Sequence, residues 1–274
     1  MSERGQAPVG LLPSAGRGVR FGSSGYAKEL FPLLFTADAD ERLLEPRPLC
    51  ELALRAIRAA GAERCVTLVS PEKAEVLRVL GDGAGLGLSL AYVIQAEPRG
   101  LPHAIACAEP WLGEADVVLA LPDTMVLPGD ALRQVHERRR AAGADLALGV
   151  FPVDEPERLG PVEMDAEGRV LRVHDKPADR KWMNSWALAS WSARFTRYCA
   201  EWEGRRPRSG PEPALGHVFD AARADGLSVV GLPFDAGHFL DIGTPRGLRA
   251  ALRALTDRGI LDQVQSVLGL EPER

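Results

Sequence analysis

Lysine, aromatic residues, paired cysteines and long apolar runs are all scarce in this chain. Four lysines (Lys28, Lys73, Lys176 and Lys181) stand among 33 Lys and Arg residues. Lys offers a compact ammonium and Arg a planar fork, so the two are not interchangeable at tight sites. Each retained lysine is therefore a candidate for a role. No apolar run approaches the roughly 18 residues that a membrane-crossing helix needs. The N-terminus, MSERGQAPVG, lacks the apolar core of a secretory leader, so a cytoplasmic location is expected. The net charge is −5. A mildly acidic chain is a poor general binder of nucleic acid, which requires clustered cations. The run Arg138-Arg139-Arg140 sits in a helical pattern ending at Gly143 and reads as a solvated face.

The four cysteines, Cys50, Cys65, Cys107 and Cys199, show no CxxC spacing. Each lies in an apolar-periodic segment, as buried free thiols in a reducing compartment do. The five histidines, His103, His136, His174, His217 and His238, form no HxxxH or HxH pair, so no zinc site is expected. What remains is ordinary globular material. The 274 residues are 46% apolar and 26% charged, enough for one large domain or two small ones.

Short apolar runs alternate with amphipathic helical patterns. Strands are expected at Val9–Pro13, Cys65–Val69, Leu88–Ile94, Val117–Leu121 and Leu146–Val153. Helices are expected at 48–60, 72–80, 101–109 and 129–142. This βαβα alternation predicts a mostly parallel sheet with helices on both faces. Beyond it, Val162–Asp165 and Val170–His174 read as a hairpin around Ala166-Glu167-Gly168. Asn184–Trp191 reads as a further strand. Helices follow near 193–202, 214–225 and 245–257, with strands at 228–233 and 238–241. Gly204–Pro213, rich in Gly, Pro and Arg, reads as a mobile loop. Without an internal repeat or a long linker, residues 1–274 are expected to form a single domain, with 1–7 disordered.

The first strand runs into Ser14-Ala15-Gly16-Arg17-Gly18-Val19-Arg20. A glycine-rich turn at that place lets backbone N–H groups approach an anion. A purely structural tight turn would look the same, and the pattern is neither GxGxxG nor a Walker A loop. Arg20 and Lys28 add two cations that suit a triphosphate. Asp123 follows the strand ending at Leu121, and ligands of open α/β sheets bind at strand carboxyl ends. Asp123 is thus a candidate Mg²⁺ ligand, or else the cap of the next turn. Asp241 also ends an apolar strand and could share the metal.

Seven motifs in order, GRGVR (16–20), AKEL (27–30), QAEPRG (95–100), LPDT (121–124), EPERLG (155–160), DKP (175–177) and DIGT (241–244), resemble the sugar-1-phosphate nucleotidyltransferases, and among them the glucose-1-phosphate thymidylyl- and uridylyltransferases. The resemblance covers roughly residues 8–250. It implies a Rossmann-like three-layer α/β/α (GT-A-like) fold with a mixed, mostly parallel sheet. Residues 8–150 would be the nucleotide-binding half, 151–250 the sugar-phosphate-binding half, and 251–274 C-terminal helices.

The resemblance also implies roles. Ala15, Gly16, Gly18 and Arg20 would hold the triphosphate beside Lys28. Gln95 and Gly100 would meet a pyrimidine base, of dTTP or UTP. Asp123 and Asp241 would hold Mg²⁺. Gly160, Asp175 and Lys176 would line the acceptor pocket, with Lys176 on the acceptor phosphate. Arg20, Lys28 and Lys176 would be the catalytic cations. The partners implied are a nucleoside triphosphate and a sugar 1-phosphate or similar small phosphate, without nucleic acid or membrane; a homo-oligomer is compatible with this.

Four departures from the family pattern touch the site. Val19 replaces the usual Thr, and Asp175 a usual Glu. Asn184-Ser185-Trp186 stands where a Thr-Gly pair is typical, and Ala214 near a sugar-binding Glu. Nucleotide and metal residues are thus kept while sugar residues are altered. Trp186 either shapes the pocket for an unusual acceptor, such as a modified sugar or a cyclitol, or is a core aromatic. Two other readings compete with the enzyme: a silent relative that binds nucleotide sugars and regulates a partner, and a glycosyltransferase. The latter would want a DxD-type pair, and Asp123-Thr124-Met125 supplies one Asp.

Overall fold

The computed structural model describes residues 6–16, 27–37, 44–207, 210 and 212–270. In chain order these are β1 (Val9–Pro13), β2 (Pro32–Ala37), β3 (Leu44–Pro48), α1 (Leu49–Ala59), β4 (Arg64–Val69), α2 (Ala74–Leu80), β5 (Ser89–Ile94), α3 (Leu101–Leu112), β6 (Val117–Leu119) and β7 (Thr124–Leu127). There follow α4 (Ala131–Ala141), β8 (Leu146–Pro152), β9 (Val162–Met164), β10 (Val170–Val173), β11 (Asn184–Trp191), α5 (Ala193–Gly204), α6 (Leu215–Ala224), β12 (Val229–Pro233), β13 (His238–Asp241), α7 (Pro245–Ala254) and α8 (Arg258–Leu268).

Seven strands form the central sheet in the order β12-β8-β11-β6-β1-β4-β5. β11 is antiparallel to both its neighbours, and every other adjacent pair is parallel. The alternation of side chains along each strand divides the core in two. Leu11 and Leu119 face α3, α5 and α6, beside Ile105, Phe195 and Phe219. Their chain neighbours Leu12 and Val118 face α1 and α4, beside Leu54, Ile57 and Val135. The three-layer α/β/α arrangement with a mixed, mostly parallel sheet is therefore present. α1 lies close against β1 because residue 10 is glycine: a Cβ there would come within 2.3 Å of Ile57 Cγ2.

Several expectations need adjustment. The strand at 117 ends at Leu119, so Asp123 sits in the turn between β6 and β7 rather than at the strand's end. Residues 71–73 form a 3-10 turn before α2, and α3 runs through Pro110 to Leu112. Asp241 does end a strand, but β13 pairs with β7 in a separate two-stranded ribbon. The β2–β3 hairpin and β7 were not anticipated. Nor is the Arg138–Arg140 run uniformly solvated. Arg139 is only 6% exposed, ion-paired with Asp116 and donating to the Ala144 carbonyl at 3.1 Å. All four cysteines are free thiols; three are buried, and Cys107 is half-buried. The expected disorder at 1–7 falls largely outside the described residues, as do positions 208, 209 and 211 of the expected loop.

Candidate active site

The carboxyl edge of the sheet gathers most of the expected residues. β1 delivers Ser14, Ala15 and Gly16 there, with Ser14 and Ala15 buried. Arg17, Gly18, Val19 and Arg20 lie outside the described residues. The chain returns at Ala27 and makes a 3-10 turn over Lys28–Leu30. That turn places Lys28 Nζ on Asp123 Oδ2. The neighbouring Glu29 points the other way, into the protein, and pairs with the buried Lys73. Lys73 Nζ also donates to the Ser14 carbonyl at 2.9 Å. One ammonium thus ties the start of the glycine loop to the turn that presents Lys28.

Asp123 and Asp241, 118 positions apart in sequence, meet through the β7–β13 ribbon. Its register sets Asp241 opposite Thr124. The Ile242 N–H donates to the Asp123 carbonyl at 2.9 Å, and the Gly243 N–H to Asp241 Oδ1 at 2.9 Å. A Cβ on Gly243 would lie 2.5 Å from Asp123 Oδ2, 3.0 Å from Asp241 Oδ1 and 3.1 Å from Lys28 Nζ. Oxygens at 2.5 and 3.0 Å from one point are at most 5.5 Å apart. The missing side chain of Gly243 therefore lets two carboxylates and an ammonium close in on one point. Two hard oxygen donors suit a divalent cation such as Mg²⁺, which usually keeps waters and takes substrate phosphates as its other ligands. Among the described residues no group of three or more potential metal-binding side chains occurs.

At the end of β5, Gln95 is 3% exposed, and its N–H donates to the Val69 carbonyl at 2.8 Å. Its amide Nε2 lies 2.6 Å from His103 Nδ1. Gly100 opens α3 at φ 94°, a left-handed value that favours glycine. A Cβ there would press on the Pro213 carbonyl at 3.1 Å. Buried Glu203 holds Arg99 at 3.7 Å and Arg206 at 3.3 Å, which fixes the chain just before Gly100.

β11 brings the second half to the same edge. Ala189 pairs with Leu119 antiparallel, so the strand's first residues, Asn184–Trp186, extend past the carboxyl end of β6. Trp186 donates its N–H to the Gly160 carbonyl at 3.1 Å, and Gly160 donates to Ser185 Oγ at 3.2 Å. A Cβ on Gly160 would sit 2.5 Å from Trp186 Nε1, so glycine there is required by the indole. The half-buried Trp186 ring also meets Phe219 edge-on, with centroids 5.1 Å apart. The body of the Trp186 ring packs against the core, and its nitrogen edge lies against Gly160. The Lys176 N–H donates to the Leu159 carbonyl at 2.9 Å, and Lys176 holds φ 44°, the only left-handed non-glycine among the described residues. Asp175 Oδ2 lies 3.4 Å from His217 Nε2, beside a cavity of about 290 Å³ that Arg172 and Asp220 also line. The loop after β8 reaches the first turn of α7: Glu155 pairs with Arg246, five residues after Asp241, at 2.9 Å.

Sequence reasoning missed two members of this edge. Lys73 had a signal in the scarcity of lysine, but nothing tied it to Ser14. His103 was weighed only as a zinc ligand. Its position three residues after Gly100, in the first turn of α3, was the available clue.

The chain matches the family model described as "Nucleotidyl transferase" over residues 23–258. It is 33% identical over 161 residues to the glucose-1-phosphate thymidylyltransferase of Streptomyces antibioticus, a match covering 58% of this chain and 44% of that protein. With the glucose-1-phosphate thymidylyltransferase of Neisseria gonorrhoeae it shares 26% over 245 residues, covering 88% of this chain and 80% of that one. Among solved structures, the UDP-glucose pyrophosphorylase of Acinetobacter baumanii superposes with a TM-score of 0.70 at 21% identity, covering 96% and 99% of the two chains. A likeness at that identity establishes the fold alone.

Proposed function

The chain belongs to the nucleotidyl transferase family, and from that membership we propose that it is a sugar-1-phosphate nucleotidyltransferase. It would transfer a nucleotidyl group from dTTP or UTP to a sugar 1-phosphate, or a sugar-like phosphate, and release pyrophosphate. The observation that supports this reading best is the convergence of Lys28, Asp123 and Asp241 around Gly243 at the carboxyl edge of the sheet.

The acceptor's phosphate oxygen attacks the α-phosphorus of the triphosphate in line. Because that oxygen is ionised at pH 7, the reaction needs no general base. What the protein must supply is alignment and neutralisation of charge. The Gly16 turn and Lys28 hold the triphosphate, joined by Gly18 and Arg20, and Gln95 and Gly100 seat the base. Residues 8–150 supply this nucleotide half of a single domain. Gly160, Asp175, Lys176 and Trp186 form the acceptor side within 151–250, and 251–274 form the C-terminal helices. Lys176 faces solvent, free to meet an incoming phosphate. Asp123 and Asp241 would hold Mg²⁺, whose chemistry when bound is to neutralise charge on the phosphates. Lys28 pairs with Asp123, and a triphosphate would compete for the same ammonium.

The test is a pyrophosphate-release assay with dTTP, UTP, ATP and GTP against a panel of sugar 1-phosphates, with and without Mg²⁺. Release that requires Mg²⁺, a pyrimidine triphosphate and an acceptor phosphate is the expected result. Tight nucleotide-sugar binding without turnover would favour a regulatory relative instead.

A further inference from the structure

We propose that His103 is a positioning residue that fixes the Gln95 amide and thereby selects uracil and thymine over cytosine. The inference rests on the reading above, in which Gln95 faces the base.

The hydrogen positions follow from the contacts. An amide nitrogen donates and does not accept. With Gln95 Nε2 at 2.6 Å from His103 Nδ1, the amide is the donor and Nδ1 the acceptor. The imidazole is then neutral with its proton on Nε2. That nitrogen lies 3.6 Å from Cys107 Sγ, one turn along α3, and donates to it. The chain Gln95–His103–Cys107 leaves no proton misplaced. With the proton on Nε2, turning the amide over would set Gln95 Oε1 against the Nδ1 lone pair, so this tautomer permits one orientation. The charged groups around His103 are Arg99 and Glu97 ahead of α3 and Glu203 on α5. Burial first, and then Arg99, hold the imidazole below its ordinary range, against the weaker pull of Glu203 and Glu97.

Gln95 Oε1 has no hydrogen bond to any described residue. The amide thus offers the base one acceptor and one donor in a fixed order. Uracil and thymine present an N3–H donor next to the O4 acceptor. Cytosine presents an N3 acceptor next to an N4 donor, the reverse order. A fixed amide matches one order, and a mismatched polar pair in a buried site is costly. A protonated His103 would donate from both nitrogens. Gln95 would then turn Oε1 toward Nδ1, and the order facing the base would invert.

The experiment is titration calorimetry of UTP, dTTP and CTP with the purified protein and Mg²⁺, at pH 8 and pH 5. Variants are His103→Leu, which removes the acceptor, and His103→Asn, whose Oδ1 takes the place of Nδ1 but does not titrate. Wild type should bind UTP and dTTP about tenfold or more tighter than CTP at pH 8, and this ratio should shrink at pH 5. His103→Leu should lose the ratio at pH 8, and His103→Asn should keep it at both pH values. A flat wild-type ratio between pH 5 and 8, or a folded His103→Leu that still discriminates, overturns the positioning role and leaves the nucleotide reading intact. Should His103→Leu fail to fold, the wild-type pH series and His103→Asn decide alone. Failure of wild type to bind any of the three triphosphates would overturn both readings.

Discussion

Replacing Lys73 by methionine should destabilise the protein far more than a lysine substitution ordinarily does. The side chain of Lys73 is 9% exposed and that of its partner Glu29 is 1% exposed. Methionine keeps the length and removes the charge. Glu29 would be left with an uncompensated buried carboxylate, one oxygen of which, Oε2, already lacks a partner among the described residues. The Ser14 carbonyl would lose its donor as well. Breaking such a pair from one side costs about 3–5 kcal/mol. In a domain of this size each kcal/mol moves the melting temperature by roughly 2–4 °C, so a fall of about 6–20 °C is expected. Replacing both partners, Lys73→Met with Glu29→Leu, should recover most of the loss, because paired apolar substitution is often neutral. Urea unfolding of wild type, both single variants and the double variant closes the cycle. A Lys73→Met loss within about 1 kcal/mol, or a double variant as unstable as the two singles added, would refute the reasoning. Turnover should also fall at temperatures where Lys73→Met is folded, since Ser14 leads into Gly16 and Glu29 adjoins Lys28.

Four further outcomes are expected. Asp123→Asn and Asp241→Asn should each lower Mg²⁺-dependent pyrophosphate release by about 10²-fold or more while keeping the melting temperature near wild type; wild-type rates in both would sink the metal assignment. Gly243→Ala should cost about 10²-fold in turnover, because its methyl would stand 2.5 Å from Asp123 Oδ2; the check is the rate beside an unchanged circular-dichroism spectrum. Lys176→Gly should stabilise the fold by about 1 kcal/mol through relief of the left-handed φ of 44°, yet raise the acceptor KM. Trp186→Gly should cost about 3–5 kcal/mol as a cavity beside Phe219 and improve use of plain glucose 1-phosphate. Stability lost with acceptor preference unchanged would make Trp186 purely structural.

The main sheet was legible because its central strands are buried on both faces. Val117-Val118-Leu119 and Leu146–Phe151 are continuous apolar runs, and the helices between them show 3.6-residue periodicity ended by Gly61 and Gly143. The β2–β3 hairpin was illegible for the opposite reason. Pro32, Pro46 and Pro48 lie within its strands, and proline argues against a strand unless it lies at an edge. β7 is four residues long and directly follows the Asp123 turn, too short a run to stand out as a strand. Arg139 was misread because charge runs are usually solvated. Its carboxylate partner Asp116 lies 23 positions earlier in sequence, and no local pattern reveals it.

For the candidate site, strand-end position and motif order pointed to Asp123 and Asp241, but not to how they meet. The answer lies in a part of the fold with little sequence signature. β13 leaves the main sheet to pair with β7, and Ile242, 1% exposed, anchors the turn that follows. Ile242 packs with Met125 and Leu127 of the ribbon, Ala251 of α7, and Val264 and Leu268 of α8. The C-terminal helices therefore buttress the segment that carries Asp241, and they rest in turn on Leu49 and Leu52 of α1. If the two carboxylates share a cation as proposed, their spacing must hold to a fraction of an ångström, which requires rigid support behind them. The third core cluster, outside the seven-stranded sheet, provides it. The C-terminal helices are thus what holds the segment carrying Asp241 against the Asp123 turn.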